Sequence, residues 1–240
     1  MIKKVADKND SGPGVEKLIK DIYILFSENA DPLKAEKMEA YMRNQFAFLG
    51  IPSPHRKKLQ SLFVREHKAA LANSDLEKLV YSLWEQPERE YQYFAMEMYY
   101  ALRKVPVKSD LHLIEYMIRH NSWWDTVDYL APWMLGRWME YFPDEKEGVI
   151  KRWLDSKNIW LQRSCLIFQL RYKQRLDTNL LEYVIIQLNG THEFFINKAI
   201  GWILREYGKT NPVWVSNFCK RHTLHSLSQR EAMRIILKSK

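Results

Sequence analysis

The chain has 240 residues, of which 46% are hydrophobic and 28% charged, so it is long enough to bury a sizeable core and reads as soluble and globular. Only 8 glycines and 9 prolines leave few turns, which favours helices over a strand-rich fold. The 37 basic and 29 acidic residues give a net charge of +8 and a pI near 9.3, so a polyanionic partner is expected, nucleic acid ahead of an anionic membrane surface. Cys165 and Cys219 lie in helical patterns with no C-x-x-C and no histidine at ligand spacing, as expected of reduced, buried thiols in a cytoplasmic protein. No apolar run approaches the ~20 residues of a membrane span.

The first 14 residues are polar, hold Gly12-Pro13-Gly14 and lack an apolar h-region, so they read as a flexible leader rather than a signal peptide, ahead of a single domain over 15–240. From Val15 onward the chain breaks into amphipathic segments of helical period. Asp31-Pro32 predicts a helix through Phe48, closed by Gly50, and Ser53-Pro54 opens the next by the same device. Further helices are expected from Ser74 to Glu85, Pro87 to Arg103, Ser109 to His120, Ser122 to Tyr141, Asp144 to Ser156 and Asn158 to Gln174. Others run from Asp177 to Leu188, Thr191 to Gly208, Asn211-Pro212 to Lys220, and onward from Ser226.

Four polar openings, at Glu88, Asn121, Asn158 and Glu193, lie 33, 37 and 35 residues apart. That spacing suits a helix-turn-helix repeat, so the expected fold is all-α, a HEAT-like helical-repeat solenoid with a concave basic groove. Residues near the starts of the second helices would converge on that groove.

The stretch Asn121-Ser122-Trp123-Trp124-Asp125-Thr126-Val127-Asp128 is the most informative. With Ser122 as the cap, Trp124 and Asp128 stand four apart and project from one face. Pro132 comes four later, where it cannot donate to the Asp128 carbonyl and should bend the helix. Arg163 and Trp202 fall where the repeat would aim them. Trp202 belongs to a basic stripe, Lys198, Trp202, Arg205 and Lys209, opposite a core stripe of Ile196, Ala199, Ile200, Ile203 and Tyr207. Gly201 would let another backbone or a ligand come close. Trp84, Trp133, Trp138, Trp153 and Trp160 read as core, and an Asp128–Arg163 pair of purely structural use is the plain alternative to catalysis.

Basic clusters at His55-Arg56-Lys57-Lys58, Arg171 to Arg175, Lys198 to Lys209 and Lys220-Arg221 sit near helix ends and suggest a wall for a phosphate backbone. His222-x-x-His225 has no third ligand in view, and phosphate-loop, hydrolase and zinc-protease motifs are missing, so neither metal nor cofactor is expected.

The chain resembles the AlkD-type DNA glycosylases, the HEAT-like-repeat family of DNA alkylation repair enzymes. The resemblance is carried by Met42-Arg43-Asn44 with Phe48-Leu49-Gly50-Ile51, by Leu83-Trp84 with Pro87-Glu88-Arg89-Glu90, and by Ser122-Trp123-Trp124-Asp125 with Val127-Asp128. It continues through Asn158-Ile159-Trp160-Leu161-Gln162-Arg163, Lys198-Ala199-Ile200-Gly201-Trp202 and Leu204-Arg205-Glu206-Tyr207, covering roughly Asp21 to Met233. The resemblance implies hydrolysis of the N-glycosidic bond of cationic N3- and N7-alkylpurines, such as 3-methyladenine and 7-methylguanine, in duplex DNA without base flipping. It places the catalytic carboxylate on Asp128, the active-site tryptophans on Trp124 and Trp202, and a phosphate-contacting arginine on Arg163. Lys198, Arg205 and Lys209 would join Arg163 in holding DNA. The chain departs from the family at Pro52, where a polar glutamine is usual. A monomer acting on alkylated double-stranded DNA is expected, and a non-catalytic helical-repeat DNA-binding protein is the alternative.

Overall fold

The computed structural model describes residues 13–72 and 74–238; residues 1–12 of the expected leader lie outside them. Pro13 and Gly14 do not belong to a leader, because they open the first helix. The described residues are helical with short connections and no β-strand, only a lone bridge between Ala47 and Glu88. The chain divides into two compact units, Met1–Lys104 and Val105–Lys240.

The first unit holds α1 (Pro13–Ser27), α2 (Pro32–Tyr41), α3 (Ser53–Glu66), α4 (Lys68–Ala72), α5 (Leu76–Trp84) and α6 (Arg89–Leu102). In α1, Leu18, Ile22 and Phe26 recur at four-residue spacing and are all buried, the apolar stripe of a packed helix. Asp31 caps α2 as expected, its carboxylate accepting from the Lys34 amide at 3.2 Å. The helix stops at Tyr41 rather than Phe48, because Arg43 and Asn44 turn left-handed, with φ of 57° and 55°.

The loop between α2 and α3 is fastened by one side chain. Glu90 of α6 is fully buried and its carboxylate accepts from the amides of Leu49 (3.0 Å), Gly50 (2.9 Å) and Ile51 (3.1 Å). Gly50 is required here twice over: its φ is 82°, and a Cβ would fall 2.0 Å from the Asp31 carbonyl oxygen. Arg56, read as part of a basic wall, is instead 3% exposed and joined to Glu97 through two hydrogen bonds of 2.9 and 3.1 Å.

The second unit holds α7 (Asp110–Arg119), α8 (Trp124–Tyr129), a π-helical segment (Leu130–Leu135), α9 (Gly136–Tyr141), α10 (Lys146–Asp155), α11 (Ile159–Ile167), α12 (Thr178–Leu188), α13 (Phe194–Gly208), α14 (Pro212–Arg221) and α15 (Ser226–Met233). Asn158, Asp177 and Asn211 cap their helices with side-chain oxygens, as the sequence indicated. The expected bend at Pro132 takes the form of the π segment: a residue without an N–H cannot close the ordinary turn, and the helix widens there. The helix expected from Asn158 to Gln174 stops at Ile167 and gives way to turns.

Packing within this unit follows chain order. α8 and the π segment lie on α11, α11 on α13, and α13 on α15, while α7, α10, α12 and α14 back this row. Such neighbour-on-neighbour stacking is consistent with a helical-repeat fold. The core stripe of α13 is buried as read, from Ile196 at 1% exposed to Tyr207 at 7%.

Replacing Glu90 with alanine would leave two buried amides and one partly buried amide without their acceptor. The expected cost is roughly 2–4 kcal/mol, seen as a lower urea midpoint by circular dichroism; an unchanged midpoint would refute the fastening role.

Candidate active site

Three helices of the second unit each bring one part of the site. α8 begins after Asn121, whose left-handed φ of 50° redirects the chain out of α7. Ser122 does not cap it, contrary to expectation. Its hydroxyl donates backwards to the Ile118 carbonyl at 2.5 Å, closing the end of α7, and the position before α8 is taken by extended Trp123. The Trp123 indole packs into Trp160 of α11 and Phe195 of α13, with ring centroids 5.7 and 5.2 Å away, and Trp160 and Phe195 are 5.0 Å apart. This aromatic cluster pins the starts of α8, α11 and α13 together.

Beside it lies the charged pair. Arg163 donates from Nε to Asp128 Oδ1 at 2.8 Å and from Nη2 to Asp128 Oδ2 at 2.9 Å, a bidentate fork. Its third nitrogen, Nη1, donates to the Phe195 carbonyl at 2.5 Å. The guanidinium is thus held by α8 and α13 at once. Trp202 of α13 completes the group, the Arg163 Cζ lying 5.9 Å from the centroid of its ring. Trp124, one helical turn before Asp128, is half-buried, as are Asp128 and Trp202.

The two charges differ in exposure. The Arg163 side chain is 3% exposed, whereas that of Asp128 is 19%, so the carboxylate is the more accessible of the two. Burial pushes the Asp128 carboxyl above its ordinary value, the Arg163 charge and hydrogen bonds draw it back, and nearby Asp125 adds a smaller upward push.

The basic stripe of α13 is arranged differently from its reading in the sequence. Lys198 Nζ lies 3.0 Å from Glu231 Oε1 of α15, Arg205 pairs with the other oxygen of the same carboxylate, and Lys209 pairs with Glu206 at 2.5 Å. These three cations therefore end on carboxylates of the chain. Burial raises the Glu231 pKa, but the Lys198 hydrogen bond and the charges of Lys198, Arg205 and Arg234 outweigh it and hold it below its usual value. The close approach expected at Gly201 comes from the chain itself: a Cβ there would stand 2.6 Å from Glu231 Cβ and 3.0 Å from the Ser228 carbonyl. Neither Glu231 nor the Phe195 carbonyl was singled out in the sequence. Nothing in local spacing marks a main-chain acceptor, and Glu231 stands between Arg230 and Ala232 without a motif.

Among the described residues no group of three or more His, Cys, Asp or Glu could hold a metal ion. His222 meets Glu182 at 2.9 Å, while His225 accepts from the Leu227 amide, so the two histidines serve separate partners. Burial pushes the Cys219 thiol up to about 11 and raises Cys165 further still. No described helix is long and apolar enough to cross a membrane.

A family model described as DNA alkylation repair enzyme matches residues 25–236. The chain belongs to the DNA alkylation repair enzyme family. A solved structure described as a predicted DNA alkylation repair enzyme from Enterococcus faecalis is similar at 34% identity. The match covers 88% of this chain and 98% of that one, with a TM-score of 0.79. No curated protein matches the chain. Membership of the family indicates a role in repairing alkylation damage, with DNA as the partner.

Removing the cation while keeping its bulk, as in Arg163→Met, leaves Asp128 with the burial penalty and no counter-charge. Its pKa is then expected to rise above that of the unaltered protein, which a carbon-13 carboxyl NMR titration would show. An unmoved titration would mean that the fork does not control the carboxylate.

Proposed function

We propose that the protein is a DNA N-glycosylase that releases cationic N3- and N7-alkylpurines from duplex DNA by hydrolysing the N-glycosidic bond, initiating base excision repair. The observation that carries this reading is the Asp128 carboxylate, largely buried yet still reached by solvent, held in a bidentate fork by a buried guanidinium and accompanied by Trp124 and Trp202. Family membership supports it.

A purine alkylated at N3 or N7 already carries positive charge and leaves readily, so the reaction needs little acid. It needs an anion beside the sugar as positive charge develops there. Asp128 supplies that anion, stabilising the oxocarbenium-like centre and orienting the attacking water. Two indole faces hold the cationic base and the deoxyribose. Retention of the base in the stack accords with a site built from side chains on three neighbouring helices, half-buried except for Arg163.

Arg163 acts first on Asp128: three of its five N–H bonds are committed, two to the carboxylate and one to Phe195. It keeps the carboxylate oriented, and its charge opposes the effect of burial. A phosphate contact would have to use the remaining N–H of Nη1 or Nη2. Lys198, Arg205 and Lys209 serve DNA only alongside the carboxylates that they already hold. The proposed DNA-binding face draws on these residues and on the α8, α11 and α13 starts.

Incubating the protein with methylated duplex DNA should release 3-methyladenine and 7-methylguanine, identified by mass spectrometry, and leave abasic sites. Duplex binding without any free base would instead support a non-catalytic binder. Asp128→Asn is expected to slow single-turnover release by about a hundredfold or more with duplex affinity largely kept; equal rates would remove Asp128 from the chemistry. The active form is the anion, so the rate should fall as the pH drops through the titration range of the carboxyl, which is shifted upward from that of an ordinary aspartate. A rate flat across that range would contradict the assignment.

A further inference from the structure

A second cation lies further along the helix that carries Asp128. Trp133, expected in the core, is only half-buried, and the Arg171 guanidinium lies over its ring, Cζ being 3.0 Å from the centroid. On the same helix Tyr129, the residue after Asp128, stacks with Trp133 at 5.9 Å and 17°. The three form a ladder of phenol, indole and guanidinium, with Arg171 exposed.

The turn that carries Arg171 is built to stay in place. Tyr172 donates its hydroxyl to the Gly136 carbonyl at 2.6 Å. Gly136 lets the turn come so near that a Cβ would stand 2.6 Å from the Phe168 carbonyl oxygen. Gln169 closes the far side, donating to the Asp177 carbonyl at 3.3 Å and accepting from the Asp177 amide at 2.8 Å.

Charge separates Arg171 from its neighbours. Arg175 ends on Glu140, Arg205 on Glu231, and Arg119 and Arg152 on Glu115. Among the described residues Arg171 has no carboxylate or hydrogen-bond partner; it ends on an indole. An exposed guanidinium pinned flat keeps its N–H edge free, has already lost much of its rotamer freedom, and has no anion to give up before binding another. The residue separation from Asp128 to Trp133 corresponds to about 7.5 Å of helix rise at the α-helical pitch. Duplex DNA carries a phosphate charge about every 1.7 Å along its axis, so a rise of that size spans about four phosphate charges.

We infer that the Tyr129–Trp133–Arg171 ladder is a phosphate-backbone contact for duplex DNA, separate from the base-release site and supplying affinity rather than chemistry. This rests on the glycosylase reading for its duplex partner. The test is the affinity of the full-length protein for a methylated duplex across a salt series, compared with Arg171→Ala and Arg171→Lys. Arg171→Ala is expected to weaken binding about three- to tenfold and to lower the slope of log affinity against log salt by about 0.9, the loss of one phosphate contact. Arg171→Lys keeps the charge, so its slope should match the unaltered protein while part of the affinity is lost with the planar fork. Base release by the unaltered protein, together with an unchanged slope in Arg171→Ala, would overturn this inference alone. Failure of the unaltered protein to bind the duplex would overturn it together with the proposed function.

Discussion

A single guanidinium carries the constraint on which the second unit depends. Arg163 leaves α11, grips the Asp128 carboxylate of α8 with two nitrogens and reaches the first turn of α13 with the third. One side chain therefore sets the relative placement of three successive helices of the row. Taking both charges out of water is costly, and an intact buried pair adds little net stability. Removing only one partner strands the other and costs about 3–5 kcal/mol. The arrangement thus holds geometry more than it adds stability, and it fixes the Asp128 carboxylate in one orientation.

The aromatic cluster does complementary work. Trp123, Trp160 and Phe195 come from the same three segments and pack against one another beside the fork, so apolar contact and charge pairing enforce one spacing. Further along the row, Glu231 gathers Lys198 and Arg205 and seats α15 against Gly201. The chain's basic excess is therefore spread unevenly: many cations already face carboxylates, and Arg171 stands apart because its partner is an indole ring.

Much of this was readable from residue order alone. Capping residues announce themselves by type, and Asn158, Asp177 and Asn211 begin helices as read because an oxygen on a short side chain reaches free amides wherever it occurs. The core face of α13 followed from its period. Ser122 misled because a hydroxyl serves equally well to close the helix behind it, and the neighbouring left-handed Asn121 decided which way it turned. The pairing of Asp128 with Arg163 spans 35 residues, which periodicity cannot see, although the chemistry of the two groups allowed it. Arg56 and the α13 stripe looked like a solvated or phosphate-facing wall because the carboxylates that hold Arg56, Lys198 and Arg205 lie 26 to 41 residues away. Trp133 was placed in the core on residue type, which carries no information about a guanidinium arriving from a distant turn.

The widened turn between α8 and α9 has a further meaning. An α-helix advances about 100° per residue, so a turn holding one residue more than usual resets the angular phase of everything beyond it. The carboxylate side of α8 and the packing side of α9 are consequently not obliged to lie along one stripe. Pairing of Asp128 with Arg163 upstream and burial of Trp138 downstream can each satisfy their own neighbours. A related chain lacking that surplus residue would have to surrender one alignment or the other.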